Sequence, residues 1–253
     1  MISIDLAGKT ALVTGATGQL GRTIARTLAK AGADVAVHYH KNREAAERLA
    51  AELQGRGVRS MAVSADVTDP ASVFRMRDDV FSRLGPVRIV VAGAVIQYEW
   101  KSVLEQDLAD YESQFRSCVL HNVNLAKAFV PAMQEAGWGR YIGLNSECSV
   151  RLLPGESAYG SGKRGMDAVL RVLAKEAGPF GVTVNQVAPG WMVSDRWREN
   201  PEDDSAYADK VPLRRRGDDA DIAHAVAFLA SDLAGFITGA FLPVCGGNVM
   251  PGI

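Results

Sequence analysis

Tyr159 and Lys163 are four residues apart and begin thirteen residues after Ser146. In a helix, an i, i+4 step places the phenol and the ammonium on one face, where they can interact. A free tyrosine has a pKa of about 10, and a neighbouring ammonium lowers that pKa because it favours the phenolate. The pair could therefore perform general acid–base chemistry, although this spacing also arises by chance on surface helices.

A glycine-rich stretch, Thr14-Gly-Ala-Thr-Gly-Gln-Leu-Gly21, joins an apolar run to a segment with helical spacing of apolar residues. Glycines at such a junction let the backbone approach a pyrophosphate, and the helix N-terminus presents free N–H groups to it. The stretch predicts a dinucleotide-binding turn, and a glycine-rich turn without a ligand is the alternative. The predicted contacts in it are Gly15, Thr17, Gly18, Gln19, Leu20 and Gly21.

The end of the second predicted strand bears on the choice of nicotinamide cofactor. An acidic residue there would hydrogen-bond the ribose of NAD, but residues 38–43 contain no carboxylate. Tyr39 and Lys41 lie at this end, and Lys41, Arg43 and Arg22 could meet the 2′-phosphate of NADP by charge and hydrogen bonding. The pattern favours NADP(H) over NAD(H), with a solvated basic helix start as the alternative.

Apolar runs typical of buried strands alternate with segments of helical periodicity along the chain. Alternation of this kind predicts a parallel sheet with helices on both faces. We expect residues 1–253 to form a single α/β domain, a Rossmann-type doubly wound parallel sheet of about seven strands. The predicted strands are 9–14, 35–39, 61–64, 89–92, 141–145, 182–187 and 241–244, and the predicted helices include 21–31, 43–53, 110–135 and 158–177.

Composition excludes several classes of protein. The 253 residues are 47% hydrophobic and 23% charged, as in ordinary globular chains. A net charge of -1 gives no general attraction to nucleic acid or an anionic membrane, and no apolar run reaches membrane-spanning length. Cys118, Cys148 and Cys245 are dispersed and odd in number, so neither a disulfide framework nor a metal site is expected. We expect a reduced cytoplasmic protein.

With these motifs in this order, the chain resembles the short-chain dehydrogenase/reductase family in its single-domain branch. The resemblance extends from Leu6 to Gly247, nearly the whole chain. Its markers are the 14–21 turn, Asp66-Val67, Ala92-Gly93, Ser146, Tyr159, Lys163, the run from Asn185 to Gly190 and the run from Phe228 to Ser231.

The resemblance implies an oxidoreductase in which the nicotinamide carries the hydride and the protein supplies position and proton transfer. Tyr159 would protonate a carbonyl oxygen, or deprotonate an alcohol in reverse, and Ser146 would polarise the same carbonyl. Lys163 would hold the nicotinamide ribose and lower the pKa of Tyr159. The further implied cofactor contacts are Asp66 and Val67 at the adenine, Ala92 and Gly93 after the fourth strand, Pro189 and Gly190 beside the nicotinamide, and Ser194 near its carboxamide.

Three positions depart from the family pattern. Gln19 stands where the branch usually has glycine, and Val91 where an asparagine usually braces the sheet. Active members also carry an asparagine on the central helix that anchors a water relaying protons to the lysine, and the count back from Ser146 places Cys118 there. A thiol is a weak hydrogen-bond partner, so we expect a rerouted or weakened relay unless Cys118 is simply a buried core residue.

Substrate contacts are expected from loops at the carboxyl ends of the strands. The candidates are Gln97, Tyr98, Trp100, Glu147, Arg151, Leu153 and Trp191. Residues 194–212, in which Trp197 and Tyr207 are set among charged side chains, are expected to form a mobile substrate lid, with a solvated surface loop as the alternative. These mixed polar and aromatic residues leave a β-ketoacyl thioester, a sugar-like ketone and a cyclic ketone open.

The motifs together predict an NADP(H)-dependent reductase that converts a ketone to a secondary alcohol, most like the 3-oxoacyl-carrier-protein reductases of the family. A 3-oxoacyl thioester is then one candidate substrate, but Phe180 stands at a position often basic in those reductases. The alternatives are an NAD-dependent alcohol dehydrogenase and a nucleotide-binding sensor or scaffold with weak catalysis, the latter motivated by Cys118 and Val91. Family resemblance also implies a homotetramer or dimer that pairs helices 110–135 and 158–177 between subunits.

Overall fold

The computed structural model describes residues 3–200 and 204–251, whose seven parallel strands form one sheet. The strands are β1 (Thr10–Val13), β2 (Asp34–Tyr39), β3 (Ser60–Ser64), β4 (Val87–Ala92), β5 (Gly139–Leu144), β6 (Val182–Pro189) and β7 (Phe241–Val244). Their order across the sheet is β3-β2-β1-β4-β5-β6-β7. The predicted Rossmann-type doubly wound parallel sheet is therefore confirmed.

Helices cover both faces of the sheet. One face packs against α1 (Gln19–Lys30), α2 (Arg43–Gln54) and α10 (Asp219–Ala230). The other packs against α3 (Pro70–Leu84), α5 (His121–Glu135) and α7 (Ser157–Ala177). The shorter helices are α4 (Leu108–Gln114), α6 (Cys148–Arg151), α8 (Asp195–Glu199) and α9 (Ser205–Ala208).

The continuous apolar runs of the strands follow from burial on both faces. In β1, Ala11 and Val13 belong to one hydrophobic core and Leu12 to the other, because successive side chains of a strand point to opposite faces. Burying a side chain of this size contributes about 1.5–3 kcal/mol. A strand between two helical layers therefore favours apolar residues at successive positions rather than only at alternate ones.

The predicted central helix 110–135 is helical throughout, but not α-helical throughout. A π-helical turn, Phe115–Leu120, separates α4 from α5. Glycines on α7 accommodate this wider turn: a Cβ on Gly162 would lie 3.0 Å from the Gln114 carbonyl oxygen, and one on Gly165 would lie 2.8 Å from Val119 Cγ2. π-helical turns recur at functional sites, and this one packs against the helix that carries Tyr159 and Lys163.

The strand order reverses between β1 and β4, which places a crevice at their carboxyl ends. In open α/β sheets such a switch point is where ligands bind. The glycine-rich turn follows β1 and Gly93 follows β4, so both reach this crevice. Among the described helices, none is both long and apolar enough to cross a membrane.

Candidate active site

Ser146, Tyr159 and Lys163 lie together at the carboxyl end of the sheet. Ser146 follows β5, while Tyr159 and Lys163 occupy the first two turns of α7. The Lys163 side chain is buried, and its Nζ donates to the Leu144 carbonyl at 2.6 Å. The same Nζ lies 5.5 Å from the centroid of the Tyr159 ring. The i, i+4 spacing therefore brings an ammonium and a phenol onto one face of α7.

The pKa of Tyr159 is raised above its ordinary value of 10.0. Burial is the largest cause, because a low-dielectric surrounding disfavours the phenolate. The Lys163 ammonium lowers this pKa, as the sequence led us to expect, and so does a hydrogen bond with Ser146, but the two do not offset burial. In the protein alone Tyr159 is thus a neutral phenol at physiological pH, the form that can donate a proton.

Two aromatic residues between β4 and α4 hold the Tyr159 side chain and backbone. Trp100 stacks on the Tyr159 ring, with centroids 5.9 Å apart and planes inclined by 30°. The Tyr98 hydroxyl accepts a hydrogen bond from the Tyr159 backbone N–H at 2.8 Å. That bond satisfies one of the free N–H groups at the start of α7, so Tyr98 fixes the helix and Trp100 fixes the ring.

A cavity of about 340 Å³ joins the glycine-rich turn to the three catalytic candidates. Its walls need glycine: Gly15 has φ +68°, and a Cβ there would lie 3.0 Å from Ala94 Cα. The α1 N-terminus also faces this turn, and such N–H groups suit a pyrophosphate. The cavity therefore fits a dinucleotide. The predicted cofactor contacts that line it are Gly15, Gly18, Gln19, Leu20, Gly21, Gly93, Tyr159, Lys163, Pro189 and Gly190.

The remaining predicted cofactor contacts do not line this cavity. They are Thr17, Tyr39, Lys41, Asp66, Val67, Ala92 and Ser194. Asp66 Oδ1 accepts from the backbone N–H and the hydroxyl of Thr68 at 2.8 and 2.7 Å. Ser194 Oγ accepts from the Trp197 N–H at 3.1 Å and so caps α8. The polar groups of these two residues are thus engaged within the chain itself.

A neutral histidine lies near the end of β2, where an NAD-binding protein would carry an acid. His38 Nδ1 accepts the Gly15 N–H at 3.0 Å, so its Nε2 carries the proton and donates to the Ala65 carbonyl at 3.0 Å. Burial lowers the pKa of His38 to about 4. His38 therefore anchors the glycine-rich turn to β2 as an uncharged ring.

The basic residues expected near a 2′-phosphate differ in whether they form ion pairs. Arg43 pairs with Glu47 at 2.7 Å, and Arg22 pairs with Asp195. Lys41 is exposed and forms no ion pair with any residue in the described ranges. Lys41 is thus the basic residue here whose charge is free, while Arg22 is held by Asp195.

Gln19, the residue that replaces a glycine, contributes its side chain to the cofactor cavity. Its amide nitrogen donates to the Val193 carbonyl, and its amide oxygen accepts from the Asp195 N–H at 3.1 Å. The substitution therefore adds contacts between the glycine-rich turn and the segment after β6 rather than only removing a glycine.

A second cavity of about 340 Å³ adjoins the first. Gln97, Ser146, Tyr159 and Gly190 line both cavities, so the two meet at the serine and the tyrosine. Predicted substrate contacts that line it are Gln97, Tyr98, Trp100, Glu147, Arg151 and Trp191, and Tyr207 of the predicted lid joins them. Leu153 and Trp197 are not part of its lining. This arrangement gives a substrate room beside the nicotinamide end of the cofactor cavity.

Glu147 links separate parts of the substrate cavity and is 2% exposed. Its carboxylate accepts from Arg151 Nη1 at 3.0 Å and from Asn248 Nδ2 at 2.9 Å. The Tyr207 hydroxyl donates to it at 3.3 Å. Arg151 also pairs with the buried Glu156. One guanidinium thus serves two buried carboxylates, and removing it would leave both charges uncompensated.

The predicted lid, 194–212, contains α8 and α9, and its residues 201–203 lie outside the described residues. The Tyr207 hydroxyl accepts from the Trp191 N–H at 2.9 Å, and the two rings meet edge-on. The segment thereby contributes one wall of the substrate cavity. Its mobility stays a prediction.

Cys118 lies in the π-helical turn and is 1% exposed within the core. Its Sγ is 3.9 Å from Gln114 Oε1, a long contact. Its carbonyl accepts from Asn122 Nδ2 at 2.7 Å, and Asn122 Oδ1 in turn accepts from the Tyr141 hydroxyl at 2.9 Å. The Asn122 side chain therefore already donates to the Cys118 carbonyl.

Three contributors to the site were not foreseen from the sequence. Asn145 donates to the Lys163 carbonyl at 3.2 Å and to Gln186 Oε1 at 2.6 Å, and its position beside Ser146 was the available signal. Glu156 and Asn248 contact Arg151 and Glu147, respectively, two side chains that line the substrate cavity. No local sequence pattern indicates either residue. Within the described ranges no cluster of His, Cys, Asp or Glu could hold a metal ion.

Comparison with known proteins identifies the family of the chain. A short-chain dehydrogenase family model, described as enoyl-(acyl carrier protein) reductase, matches residues 15–248. The 3-oxoacyl-[acyl-carrier-protein] reductase of Staphylococcus epidermidis is 35% identical over 253 residues, covering 96% of this chain and 99% of that protein. The reductase of the same name from Pseudomonas aeruginosa is 36% identical, covering 98% and 100%.

A solved structure extends the comparison. The promiscuous reductase LugOII, which catalyses keto-reduction at C1 during lugdunomycin biosynthesis, superposes with a TM-score of 0.89 at 29% identity, covering 97% of this chain and 99% of that chain. The chain therefore belongs to the short-chain dehydrogenase/reductase family and is an NAD(P)-dependent oxidoreductase that acts on CH–OH or C=O groups.

Proposed function

We propose that the protein reduces a ketone to a secondary alcohol with NADPH and that Tyr159 donates the proton. The observation that carries this proposal is the meeting of the two cavities at Ser146 and Tyr159, with Lys163 on the same face of α7. When bound, the nicotinamide would supply the hydride. The names of the relatives, which are ketone reductases, support the direction of the reaction.

Each of the three residues has a task that its surroundings suit. The Ser146 hydroxyl would hydrogen-bond the ketone oxygen and stabilise the negative charge that develops on it. Tyr159 would give that oxygen its proton, which the raised pKa of the phenol keeps available at neutral pH. Lys163, anchored to the Leu144 carbonyl, would stabilise the tyrosinate formed in this step and hold the nicotinamide ribose.

The preference for NADPH rests on the end of β2. The absence of a carboxylate at 38–43 removes the usual ribose acceptor, and Lys41, which has no ion-pair partner among the described residues, offers a charge to a 2′-phosphate. A Lys41→Glu change should therefore weaken NADPH binding more than NADH binding. Equal effects on the two cofactors would count against this preference.

Acyl-chain chemistry gives two candidate substrates for the assay. The names of the curated relatives make a 3-oxoacyl thioester one of them, and the description of the family model adds an enoyl thioester as its competitor. The exposed Phe180, at a position often basic in carrier-protein reductases, argues against docking of an acidic carrier.

Assembly and compartment complete the proposal. The helices α5 and α7 border a largely apolar groove lined by Val123, Val130, Val172 and Leu173, which suits pairing with the same helices of a second subunit. A homodimer or homotetramer in the cytoplasm is therefore proposed. The three free, buried cysteines agree with a reducing compartment.

The deciding experiment follows NADPH and NADH consumption with a panel of ketones and with a 2-enoyl thioester. Tyr159→Phe should lower kcat by about 10²- to 10⁴-fold while NADPH binding, measured by fluorescence, stays intact. Tyr111→Phe is the matched control, since its hydroxyl contacts Ser157 at 2.7 Å and lines neither cavity. Full turnover in Tyr159→Phe would show that the proton donor is wrong. NADPH binding with no turnover on any substrate would instead support a nucleotide sensor.

A further inference from the structure

Aromatic rings make up much of the wall of the substrate cavity. Tyr98, Trp100, Tyr159, Trp191 and Tyr207 all line it. Trp100 is stacked on Tyr159, and Trp191 meets Tyr207 edge-on with centroids 5.2 Å apart. Ring faces and edges arranged in this way attract another flat ring, because aromatic pairs favour stacked and edge-to-face contacts. A ketone carried on a flat ring matches these walls better than a flexible chain does.

The ion-paired groups at one wall of the same cavity carry a net negative charge. The charged side chains that line it are Glu147 and Arg151. Arg151 is committed to two carboxylates, those of Glu147 at 3.0 Å and of Glu156. Lys163 lines the cofactor cavity and not this one. Two carboxylates thus share one guanidinium, and this group, with a net charge of -1, would repel a substrate carboxylate.

Gln97 supplies an uncharged polar group at the junction of the two cavities. It lines both of them and is exposed. Its side-chain amide forms no hydrogen bond with the residues that the structure describes, in contrast to the bonded amides of Gln106 and Gln114. A free amide offers a donor and an acceptor at once, so it suits a neutral substituent such as an amide or a hydroxyl.

We infer that this site takes an uncharged ketone carried on a flat ring, with a neutral polar substituent that meets Gln97, and that Glu147 excludes ketones that bear a carboxylate. The inference rests on the proposed ketone reduction and narrows its substrate class. It assigns Gln97 and Glu147 as residues that determine specificity. They are additional to the three proposed catalytic residues.

The charge component is tested with 4-acetylbenzamide and 4-acetylbenzoate, which present the same ketone on the same ring and differ in charge. The wild-type enzyme should reduce the amide with a kcat/KM that is higher by about 10- to 100-fold. Equal values for the two compounds would overturn the inference.

Glu147→Gln then tests the assigned residue. The change removes the charge and keeps the shape, and Arg151 retains Glu156 as its partner. The ratio between the two probes should fall to within about threefold, mainly through a lower KM for 4-acetylbenzoate. Glu135→Gln, at an exposed glutamate that ends α5, should keep the wild-type ratio. An unchanged ratio in Glu147→Gln, with wild-type thermal stability and NADPH binding, would overturn the role of Glu147.

The ring and the polar substituent are tested with acetophenone and the linear acetoacetyl-N-acetylcysteamine. Gln97→Ala should lower kcat/KM for 4-acetylbenzamide more than for acetophenone, and equal losses would overturn the role of Gln97. A kcat/KM for the linear thioester above that of every ring ketone would overturn the ring preference. If the enzyme oxidises NADPH with the neutral probes but shows no preference among the charged, neutral, ring and linear ketones, this inference alone is refuted. No oxidation with any probe, with NADPH bound, refutes the proposed function as well.

Discussion

The Gln19 amide nitrogen donates to Asp219 Oδ1 at 2.6 Å, joining the first residue of α1 to the first residue of α10. With its bonds to Val193 and Asp195, the same side chain ties two helix starts to the segment after β6. A glycine at this position would leave those three elements to be joined through other contacts. Gln19 is thus a structural link that the family pattern lacks.

Gln19→Ala should loosen residues 193–198. The change removes the hydrogen bonds to Val193, Asp195 and Asp219, so amide hydrogen exchange in that segment should speed up and the free energy of unfolding should fall by about 1–2 kcal/mol. Exchange mass spectrometry and chemical denaturation measure the two effects. Gln134→Ala on α5 is the control. Unaltered exchange at 193–198 would mean that other contacts hold the segment.

The pH dependence of reduction should follow Tyr159. Because burial raises its pKa above 10.0, the phenol stays protonated through neutral pH, so kcat/KM for reduction should be level and fall only above a pH of about 10. Alcohol oxidation needs the phenolate and should rise over the same range. Lys163→Met removes a cation that lowers this pKa and should move the falling limb to still higher pH, whereas Lys127→Met should not. A limb centred below pH 8 would contradict this account.

Acid should destabilise the fold through His38. Its pKa is about 4 when folded and 6.5 when unfolded, so the unfolded chain binds the extra proton between these values. The contribution of His38 to the free energy of unfolding should therefore be fully present above pH 6.5. It should fall by about 3 kcal/mol as the pH drops to 4. The buried His121, whose pKa burial lowers to about 3, adds a slope of the same sign.

Denaturation curves at several pH values check the acid effect. In His38→Asn the free energy of unfolding should decline less steeply between pH 6.5 and 4, because only the contribution of His121 remains. The exposed His224→Asn should keep the wild-type slope. If His38→Asn and the wild type lose stability in parallel, His38 is not the group responsible.

Cys118→Asn should raise kcat if the proton path through this position is weakened. One added hydrogen bond of about 1 kcal/mol in the rate-limiting proton transfer corresponds to roughly a fivefold increase. The buried amide should lower the free energy of unfolding by about 1–3 kcal/mol, because Gln114 offers only a distant partner. Steady-state kinetics alongside Cys118→Ala separates the two effects. An unchanged or lower kcat, with NADPH still bound, would mean that Cys118 is a core residue only.

The parts of the fold that the sequence predicted are those with a local cause. The inner strands are buried on both faces, so their apolar runs mark their places, and the partly buried β7 also agrees with the predicted 241–244. The π-helical turn Phe115–Leu120 escaped prediction because one widened turn hardly disturbs a helical pattern of apolar residues. The turn packs closely against α7 at Gly162 and Gly165, a tertiary contact that the local sequence does not reveal.

The site shows the same division. Tyr159 and Lys163 were predictable because their contact depends on one helical step. The partners of Glu147 were not, since Asn248 and Tyr207 reach it from distant parts of the chain. The sequence predicts Trp191 as a substrate contact and Tyr207 as a lid residue, and only the fold brings their rings into contact. Spacing along the chain carries no information about such pairs.

Trp100 gives the molecule an intrinsic optical signal at its reaction centre. The indole is about half exposed, at 47%, and lies against the ring of Tyr159. Indole emission overlaps the absorption of reduced nicotinamide, and it also responds to the polarity of whatever replaces water beside it. Arrival of cofactor and arrival of substrate could then be followed separately as changes in fluorescence intensity and wavelength, without attaching a dye to the protein.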